Sequence, residues 1–181
     1  RAVGDSGTVI SYERRPEFAE VAAQNVEKWF GIRPANWSLV LGDMAVDLKE
    51  RDLDAVVLDM LSPWECLESV AAALSPGGVF VGYVATTTQL SRLVESMRVT
   101  GDWTEPRAEE TLLRTWHLEG LSVRPDHRMN GHTAFLVTAR RLAAGTELPA
   151  RRRRPAPGAY GDDYTGPGAV ERPDAQEPEA E

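Results

Sequence analysis

The sequence predicts a single α/β domain built on a doubly wound, mainly parallel sheet with an antiparallel edge at its C-terminal end. Strand-like runs alternate with helical segments, and several of these runs are apolar at consecutive positions, as strands buried on both faces require. The last two runs are joined by a polar loop too short for a crossover helix, which predicts an antiparallel pair. In such sheets, ligands bind beyond the carboxyl ends of the strands.

The first elements follow from turn and helix signals. A Gly-Asp-Ser-Gly turn precedes the β-rich run Thr8–Glu13, which predicts the first strand. Pro16 then occupies a position at which a helix tolerates a missing N–H group. The pattern predicts an amphipathic helix of about 14 residues that ends at Gly31. Its apolar residues recur at helical spacing: Phe18, Val21, Ala22, Val26, Trp29 and Phe30.

The remaining elements alternate in the same way. Leu90, Leu93, Val94 and Met97 mark a helix after the third apolar run. The Ser75–Gly78 turn (Ser-Pro-Gly-Gly) ends the helix before that run. The other predicted elements are strands at Trp37–Leu41, Leu53–Met60 and Val79–Val84, a short helix from Pro63 to Leu74, and final strands at Thr111–Leu118 and Thr133–Arg140.

Composition divides the chain into a compact domain, residues 1–141, and a tail, residues 142–181. The tail is rich in proline, glycine, arginine and acidic residues, so it buries too little apolar surface to offset the entropy lost on ordering, and we expect it to be disordered. Within it, Arg151–Arg154 form a basic run ahead of an acidic end. This run is interpreted as a solvated, self-screening segment, with an arm for RNA phosphates as the alternative.

Composition also excludes several classes of protein. The net charge of −8 argues against a uniformly basic nucleic-acid binder, but not against a local basic patch. No apolar run approaches the length of a membrane span, and we expect neither a membrane segment nor an export signal. The single cysteine, Cys66, fits a reducing cytoplasm. His117, His127 and His132 lack metal-ligand spacing, so no metal site is predicted.

Three carboxylates stand at predicted strand ends. Glu13 ends the first strand, Asp43 follows the second after one glycine, and Asp59 ends the third. A carboxylate matches the two hydroxyls of a ribose, and another can accept from an exocyclic amine such as that of adenine. Together they indicate a nucleoside site, whereas N-capping and solvated turns are the structural alternative. An NAD site is disfavoured because Gly4–Gly7, the glycine-rich candidate, precedes a strand rather than following one.

Several segments resemble the tRNA (adenine-58-N1)-methyltransferases, in the single-polypeptide bacterial and archaeal form. Glu13, Gly42-Asp43 and the Leu-Ser-Pro-Gly-Gly turn are similar to the wider S-adenosylmethionine-dependent methyltransferase fold. The more specific segments are Leu-Asp-Met-Leu-Ser-Pro-Trp (58–64), Gly-Tyr-Val-Ala-Thr-Thr-Thr-Gln (82–89), Arg124-Pro125 and Gly-His-Thr-Ala-Phe-Leu (131–136). The resemblance runs from about residue 3 to residue 141.

The resemblance implies a Rossmann-like fold and methyl transfer from S-adenosylmethionine to N1 of an adenosine in the T-loop of tRNA. It implies that Glu13 binds the cofactor ribose, that Asp43 and Met44 bind near its adenine, and that Asp59 also reaches the cofactor. It assigns the target adenine to Asp59 and Tyr83. It further implies a homotetramer, and from the single cysteine we expect a cytoplasmic protein.

The residue types suit this chemistry. Adenine N1 has a free lone pair and the methylated ring is cationic, so a carboxylate at Asp59 would orient the base and stabilise the developing charge. A base extruded from a folded loop benefits from an aromatic platform, for which Tyr83 and Trp64 are candidates. The pattern leaves open whether Trp64 serves this purpose or only packs the start of a helix.

The sequence departs from the family pattern at its beginning. The family has an RNA-binding β-domain, a first strand and a glycine-rich loop for the methionine group, and none of these is found here. We therefore expect a missing central strand between those ending at Glu13 and Asp59, and weak cofactor binding by this chain alone. Two other functions stay open: a non-catalytic remnant that assists assembly or RNA binding, and a methyltransferase of another substrate class.

Overall fold

The structure, a computed structural model, describes residues 2–146 and residue 148. Most of the predicted tail, including Arg151–Arg154, lies outside the described residues. No helix in the described part combines the length and apolarity needed to cross a membrane. The elements are β1 (Val9–Glu13), α1 (Pro16–Phe30), β2 (Trp37–Leu41), α2 (Met44–Asp47), β3 (Leu53–Asp59), a 3₁₀ turn (Pro63–Cys66), α3 (Leu67–Ala73), β4 (Leu74–Val84), α4 (Thr87–Thr100), β5 (Arg107–Glu109), β6 (Trp116–Glu119), β7 (Ser122–Pro125) and β8 (Phe135–Arg140).

The predicted mixture of parallel and antiparallel pairing is confirmed, but the described strands form separate sheets. β1 pairs with β2 in parallel. A second sheet has the order β3-β4-β8-β5, in which β3 and β4 are parallel and β8 is antiparallel to both of its neighbours. No pairing joins β1 to β3 within residues 2–146. This break falls where the sequence predicts a missing central strand.

The predicted pairing of the last two strands is wrong. The segment Thr111–Leu118 yields only β6, which forms a hairpin with β7, and Trp116 lies opposite Pro125. β8 instead lies between β4 and β5. Two short strands, β5 and β7, were not predicted, and β7 occupies the stretch interpreted as a loop. β8 takes the inner position because Val137 and Ala139 are buried against the core.

The hydrophobic core lies on one face of the four-stranded sheet. Alternate residues of its strands are buried there beneath α3 and α4, which contribute Val70, Leu93 and Met97. The sequence predicts that helices cover both faces of the sheet. In the described part of the chain, however, the face opposite α3 and α4 is open, and Val57, in the middle of β3, is 64% exposed. The helix available for cover, α1, packs on β1 and β2 and buries none of its own residues.

α1 itself forms as predicted. Pro16 occupies the first turn, and Gly31 ends the helix in the left-handed region (φ 79°), where its N–H donates to the Glu27 carbonyl at 2.8 Å. Only part of its apolar stripe is covered: Ala22 and Val26 are half-buried, whereas Val21 is exposed and Phe18 is exposed except where Arg15 stacks on its ring at 3.7 Å.

Gly82 allows close packing of α4 on β4. A Cβ atom at Gly82 would lie 2.9 Å from Cδ2 of Leu93 and 3.2 Å from the ring of Phe80, and both neighbours are fully buried. Because neither side chain has free space to move into, only glycine fits without displacement. The same strand carries Tyr83, so this contact also fixes the end of β4 relative to α4.

We expect Gly82→Ala to lower the free energy of unfolding by about 1–3 kcal/mol, because the added methyl group overpacks the core. Urea denaturation followed by circular dichroism measures the change. Gly131→Ala is the matched control, since nothing lies within 4 Å of its Cβ position. Equal stability of the two variants would contradict the close-packing argument.

Candidate active site at the carboxyl ends of the strands

Glu13 and Asp43 meet at the end of the β1–β2 sheet. Glu13 lies opposite Leu41 in the parallel register, and its carbonyl accepts from Gly42 N–H at 3.0 Å. Asp43 follows immediately. The parallel pairing therefore brings these two residues to one edge of the sheet, as the sequence predicts.

Each of these carboxylates is held by the turn that carries it. Oε1 of Glu13 accepts from the backbone N–H of Arg15 at 2.9 Å and from its Nε at 3.2 Å. The backbone hydrogen bond from Arg15 is the main cause that lowers the pKa of Glu13. Oδ1 of Asp43 accepts from Ala45 N–H at 2.9 Å and caps α2, while Oδ2 lies 3.6 Å from Arg14 Nη1. The capping alternative therefore holds for Asp43, and its second oxygen faces Arg14.

Met44 connects this edge to the next layer of the domain. Its carbonyl accepts from the Ser69 hydroxyl at 3.0 Å, and its partly buried side chain packs against the core. The turn before it is tight: a Cβ atom at Gly42 would lie 2.9 Å from Oδ2 of Asp47. Gly42 therefore permits the Asp47 carboxylate to accept from Asp43 N–H at 2.7 Å.

Asp59 and Tyr83 are neighbours on the open face of the second sheet. The parallel register places Asp59 opposite Tyr83, and neighbouring strands are about 4.8 Å apart. Val56 and Leu58 of β3 are buried on the helix-covered face, so Asp59 projects to the other face, and the same alternation applies to Tyr83. The two residues predicted to contact the target base are thus side by side.

The same row continues across the sheet. Tyr83 lies opposite Leu136 of β8, which in turn lies opposite Glu109 of β5. The sequence does not predict that Leu136 and Glu109 share this row, because their place in it depends on the order β3-β4-β8-β5. The open face therefore presents a tyrosine and a leucine between two carboxylates.

The two edges approach each other at the 3₁₀ turn after β3. Cys66 lies in this turn, is fully buried and has its pKa raised to about 11, mainly by burial and further by the charges of Asp43 and Glu65. The Ser69 hydroxyl, three residues beyond Cys66, donates to the Met44 carbonyl at 3.0 Å and so joins the two edges directly. A buried thiol with a raised pKa is a packing group and not a nucleophile.

Trp64, the other candidate platform, is partly covered. The guanidinium of Arg92 stacks on its ring at 4.2 Å from the centroid. Its indole nitrogen is buried without a hydrogen-bond partner in the described part of the chain, and the ring packs against the core. Of the two aromatic candidates, Tyr83 is therefore the one placed beside Asp59.

The histidines form no metal site among the described residues, where no cluster of histidine, cysteine or acidic side chains has the geometry of metal ligands. His132 instead contacts the Ala85 carbonyl at 2.8 Å and the Glu110 carboxylate at 2.7 Å. Ala85 lies in the 82–89 segment and His132 in the 131–136 segment, but no local pattern predicts that these two residues and Glu110 meet.

The sequence is similar to curated tRNA methyltransferases. Over 144 residues it is 36% identical to the tRNA (adenine(58)-N(1))-methyltransferase TrmI of Thermus thermophilus, covering 80% of this chain and 56% of that protein. It is 31% identical to the tRNA (adenine(57)-N(1)/adenine(58)-N(1))-methyltransferase TrmI of Methanocaldococcus jannaschii, covering 77% of this chain and 57% of that protein. No family model matches the sequence. The chain spans about half the length of these relatives.

Solved structures show the same similarity. An S-adenosylmethionine-dependent O-methyltransferase from Thermotoga maritima superposes with a TM-score of 0.73 and 31% identity, covering 80% of this chain and 54% of that one. The tRNA (m1A58) methyltransferase TrmI of Aquifex aeolicus gives a TM-score of 0.65 and 27% identity over 75% of this chain and 54% of that one. The fold is therefore the Rossmann-like fold of S-adenosylmethionine-dependent methyltransferases, and the sequence is similar to that of tRNA (adenine-58-N1)-methyltransferases.

Proposed function

We propose that this chain forms part of an enzyme that methylates N1 of adenosine 58 in the T-loop of tRNA, with S-adenosylmethionine as methyl donor. The observation that carries the proposal is the pairing of Asp59 with Tyr83 on an open sheet face. It occurs in a chain whose curated relatives, at 31–36% identity, are named for this reaction.

Asp59 and Tyr83 can orient an adenine for attack. The Asp59 carboxylate accepts a hydrogen bond from the exocyclic amine, which turns N1 toward the methyl donor. The same negative charge stabilises the ring as it becomes cationic. Tyr83, one strand away, supplies an aromatic surface for a base taken out of its stack. No strong base is required, because N1 already carries a lone pair.

The residues at the β1–β2 edge fit the adenosine half of the cofactor. When bound, S-adenosylmethionine supplies an electrophilic methyl group on a sulfonium. The two bonds from Arg15 occupy only part of the acceptor capacity of Glu13, so its carboxylate can also accept from a ribose diol. Asp43 and Met44 lie at the same edge. Within residues 2–146, no strand-to-helix connection is rich in glycine, so the described residues do not account for the methionine half.

This incomplete fit also favours a second candidate, a non-catalytic chain that assists assembly or RNA binding. The break between β1 and β3 and the open face at Val57 are consistent with it. The two candidates differ in what Asp59 does, since only the enzyme requires its carboxylate. Cytoplasmic localisation stays a prediction.

The β6–β7 hairpin is the surface that we assign to self-assembly, and we propose a homotetramer. Its two faces differ: Trp116 and Leu118 lie opposite Pro125 and Val123 on one face, whereas His117 and Glu119 lie on the other. The apolar face is exposed, with Leu118 at 71% and Val123 at 59%. Exposed apolar area of this kind marks an interaction surface, and the hairpin pairs with no other strand in the described part of the chain.

The first test replaces Asp59 in the polypeptide encoded by the complete reading frame that contains this chain. We expect Asp59→Ala to slow methyl transfer to an unmodified tRNA transcript by about 10²–10³-fold, because stabilisation of the cationic ring is lost. The affinity for S-adenosylmethionine, measured by isothermal titration calorimetry, should change far less.

Asp54→Asn is the matched control, since Asp54 lies on the same strand at its opposite end. Equal losses of transfer and of cofactor affinity in Asp59→Ala would refute the role assigned to Asp59. An unchanged rate in Asp59→Ala, or no transfer by the unaltered protein, would favour the non-catalytic candidate instead.

The second test concerns assembly. Leu118→Lys places a charge on the apolar face of the hairpin, and we expect it to reduce the mass measured by sedimentation equilibrium from a tetramer to a smaller species. Ser122→Lys adds the same charge on the polar face and should leave the mass unchanged. A monomeric unaltered protein, or a tetramer that tolerates Leu118→Lys, would contradict the proposed interface.

A further inference from the structure

His132 joins three segments that are distant in sequence. Its Nε2 contacts the carbonyl of Ala85, directly after β4, and its Nδ1 contacts the carboxylate of Glu110, directly after β5. Its ring lies 4.6 Å from the ring of Phe135, the first residue of β8. The imidazole therefore sits at the carboxyl end of β4, where three neighbouring strands are brought together.

Both partners of His132 are hydrogen-bond acceptors. A carbonyl and a carboxylate each require a donor, whereas a neutral imidazole has one donor nitrogen and one acceptor nitrogen. The two contacts are therefore satisfied together only by the imidazolium, which donates from both nitrogens. In agreement with this geometry, the Ala85 carbonyl, and next the Glu110 carboxylate, raise the pKa of His132.

The carbonyl that His132 holds belongs to the strand end that carries Tyr83. Ala85 follows Tyr83 by two residues, and its N–H donates to Oε1 of Gln89 at 3.2 Å. Thr86 caps α4 and shares the same Gln89 side chain. Ala85 is thus held by Gln89 on its N–H and by His132 on its carbonyl. Strand pairing with β3 and β8 holds β4 as far as Val84, so loss of the His132 contact would leave Ala85, the next residue, held by Gln89 alone.

We propose that His132 is a positioning residue, which as an imidazolium fixes the end of β4 and thereby keeps Tyr83 beside Asp59. It acts through the backbone and does not touch the reacting atoms. The part of this inference that concerns catalysis depends on the proposed methyl transfer, whereas the part that concerns geometry does not.

The direction of the pH dependence follows from the contacts. Glu110 supplies the charge that faces the ring from the segment after β5, while the end of β4 supplies a carbonyl and β8 supplies the ring of Phe135. Because the folded pKa is raised, both hydrogen bonds are complete below it. One of them is lost as the pH rises through the folded pKa, and Tyr83 then loses part of its support.

Nuclear magnetic resonance of the 181-residue chain tests the geometry directly. We expect both ring nitrogens of His132 to carry protons below the midpoint of its titration, and that midpoint to lie above the usual value of about 6.5. The ring signals of Tyr83 should shift with the same midpoint. Glu110→Gln should lower that midpoint, and His132→Gln should abolish the pH-dependent shift of Tyr83.

His117 supplies the matched control, because it also faces a glutamate, Glu119 at 3.4 Å, but lies on the hairpin. His117→Gln should leave the Tyr83 signals and their midpoint unchanged. A titration midpoint of His132 at or below about 6.5 would overturn the proposal, and so would Tyr83 ring signals that do not shift with the titration of His132. If His132→Gln does not fold, Glu110→Gln tests the same proposal with the histidine in place. The midpoints of His132 and of the Tyr83 signals should then fall together.

The catalytic consequence is measured on the complete reading frame. His132→Gln should lower kcat for methyl transfer about tenfold or more and remove its decline at high pH, while KM for S-adenosylmethionine stays the same. A fall in KM and kcat together, or an unchanged kcat, would overturn the positioning role in catalysis. Absence of transfer in the unaltered protein would refute the proposed function, and the Tyr83 signals would still decide whether His132 positions the strand end.

Discussion

The parallel pairing of β3 with β4 is the constraint on which the candidate site depends. Its register places Asp59 beside Tyr83, and the irregularity between Leu53 and Ala55 accommodates the extra residues of the Ser-Pro-Gly-Gly turn at the start of β4. Because side chains alternate along a strand, a shift by one residue would move Asp59 or Tyr83 to the buried face. The buried side chains of β4, above all Phe80 and Val84, prevent such a shift, since it would expose them. The chemistry of one face is thus fixed by the packing of the other.

The one-sided core explains how this sheet can offer a surface to a ligand. α3 and α4 cover one face, and the close contact at Gly82 holds α4 against β4. The opposite face keeps Val57 exposed in mid-strand and presents the row from Asp59 to Glu109. Apolar surface beside a polar row is suited to a flat aromatic base, which needs both a face to stack on and an edge to hydrogen-bond.

Local patterns predicted the elements that bury apolar side chains, and failed where long-range pairing decides. β3 and β4 were found because their apolar runs are continuous, and α1 because its apolar residues recur at helical spacing and Pro16 and Gly31 mark its ends. β5 has three residues, all exposed, and β7 has four, of which only Pro125 is half-buried, so no hydrophobic pattern reveals either strand. Glu13, Asp43 and Asp59 were predicted from their place at strand ends. Glu109 and Leu136 were not, because only the strand order shows that they share the row with Tyr83.

Charge at the strand ends is balanced locally. The domain, residues 1–141, carries a net charge of −5, and the site itself is built from carboxylates, which repel the phosphates of any nucleic acid. Arg15 pairs with Glu13, and Arg14 lies 3.6 Å from Asp43, so the β1–β2 edge is much less negative than its carboxylates alone would make it. Asp59 has no such arginine in the row it shares with Tyr83 and Leu136. Asp59, which would face a developing positive charge, thus has no cation in its row. Glu13 and Asp43, which would bind neutral hydroxyl and amine groups, are screened by the arginines of their own turn.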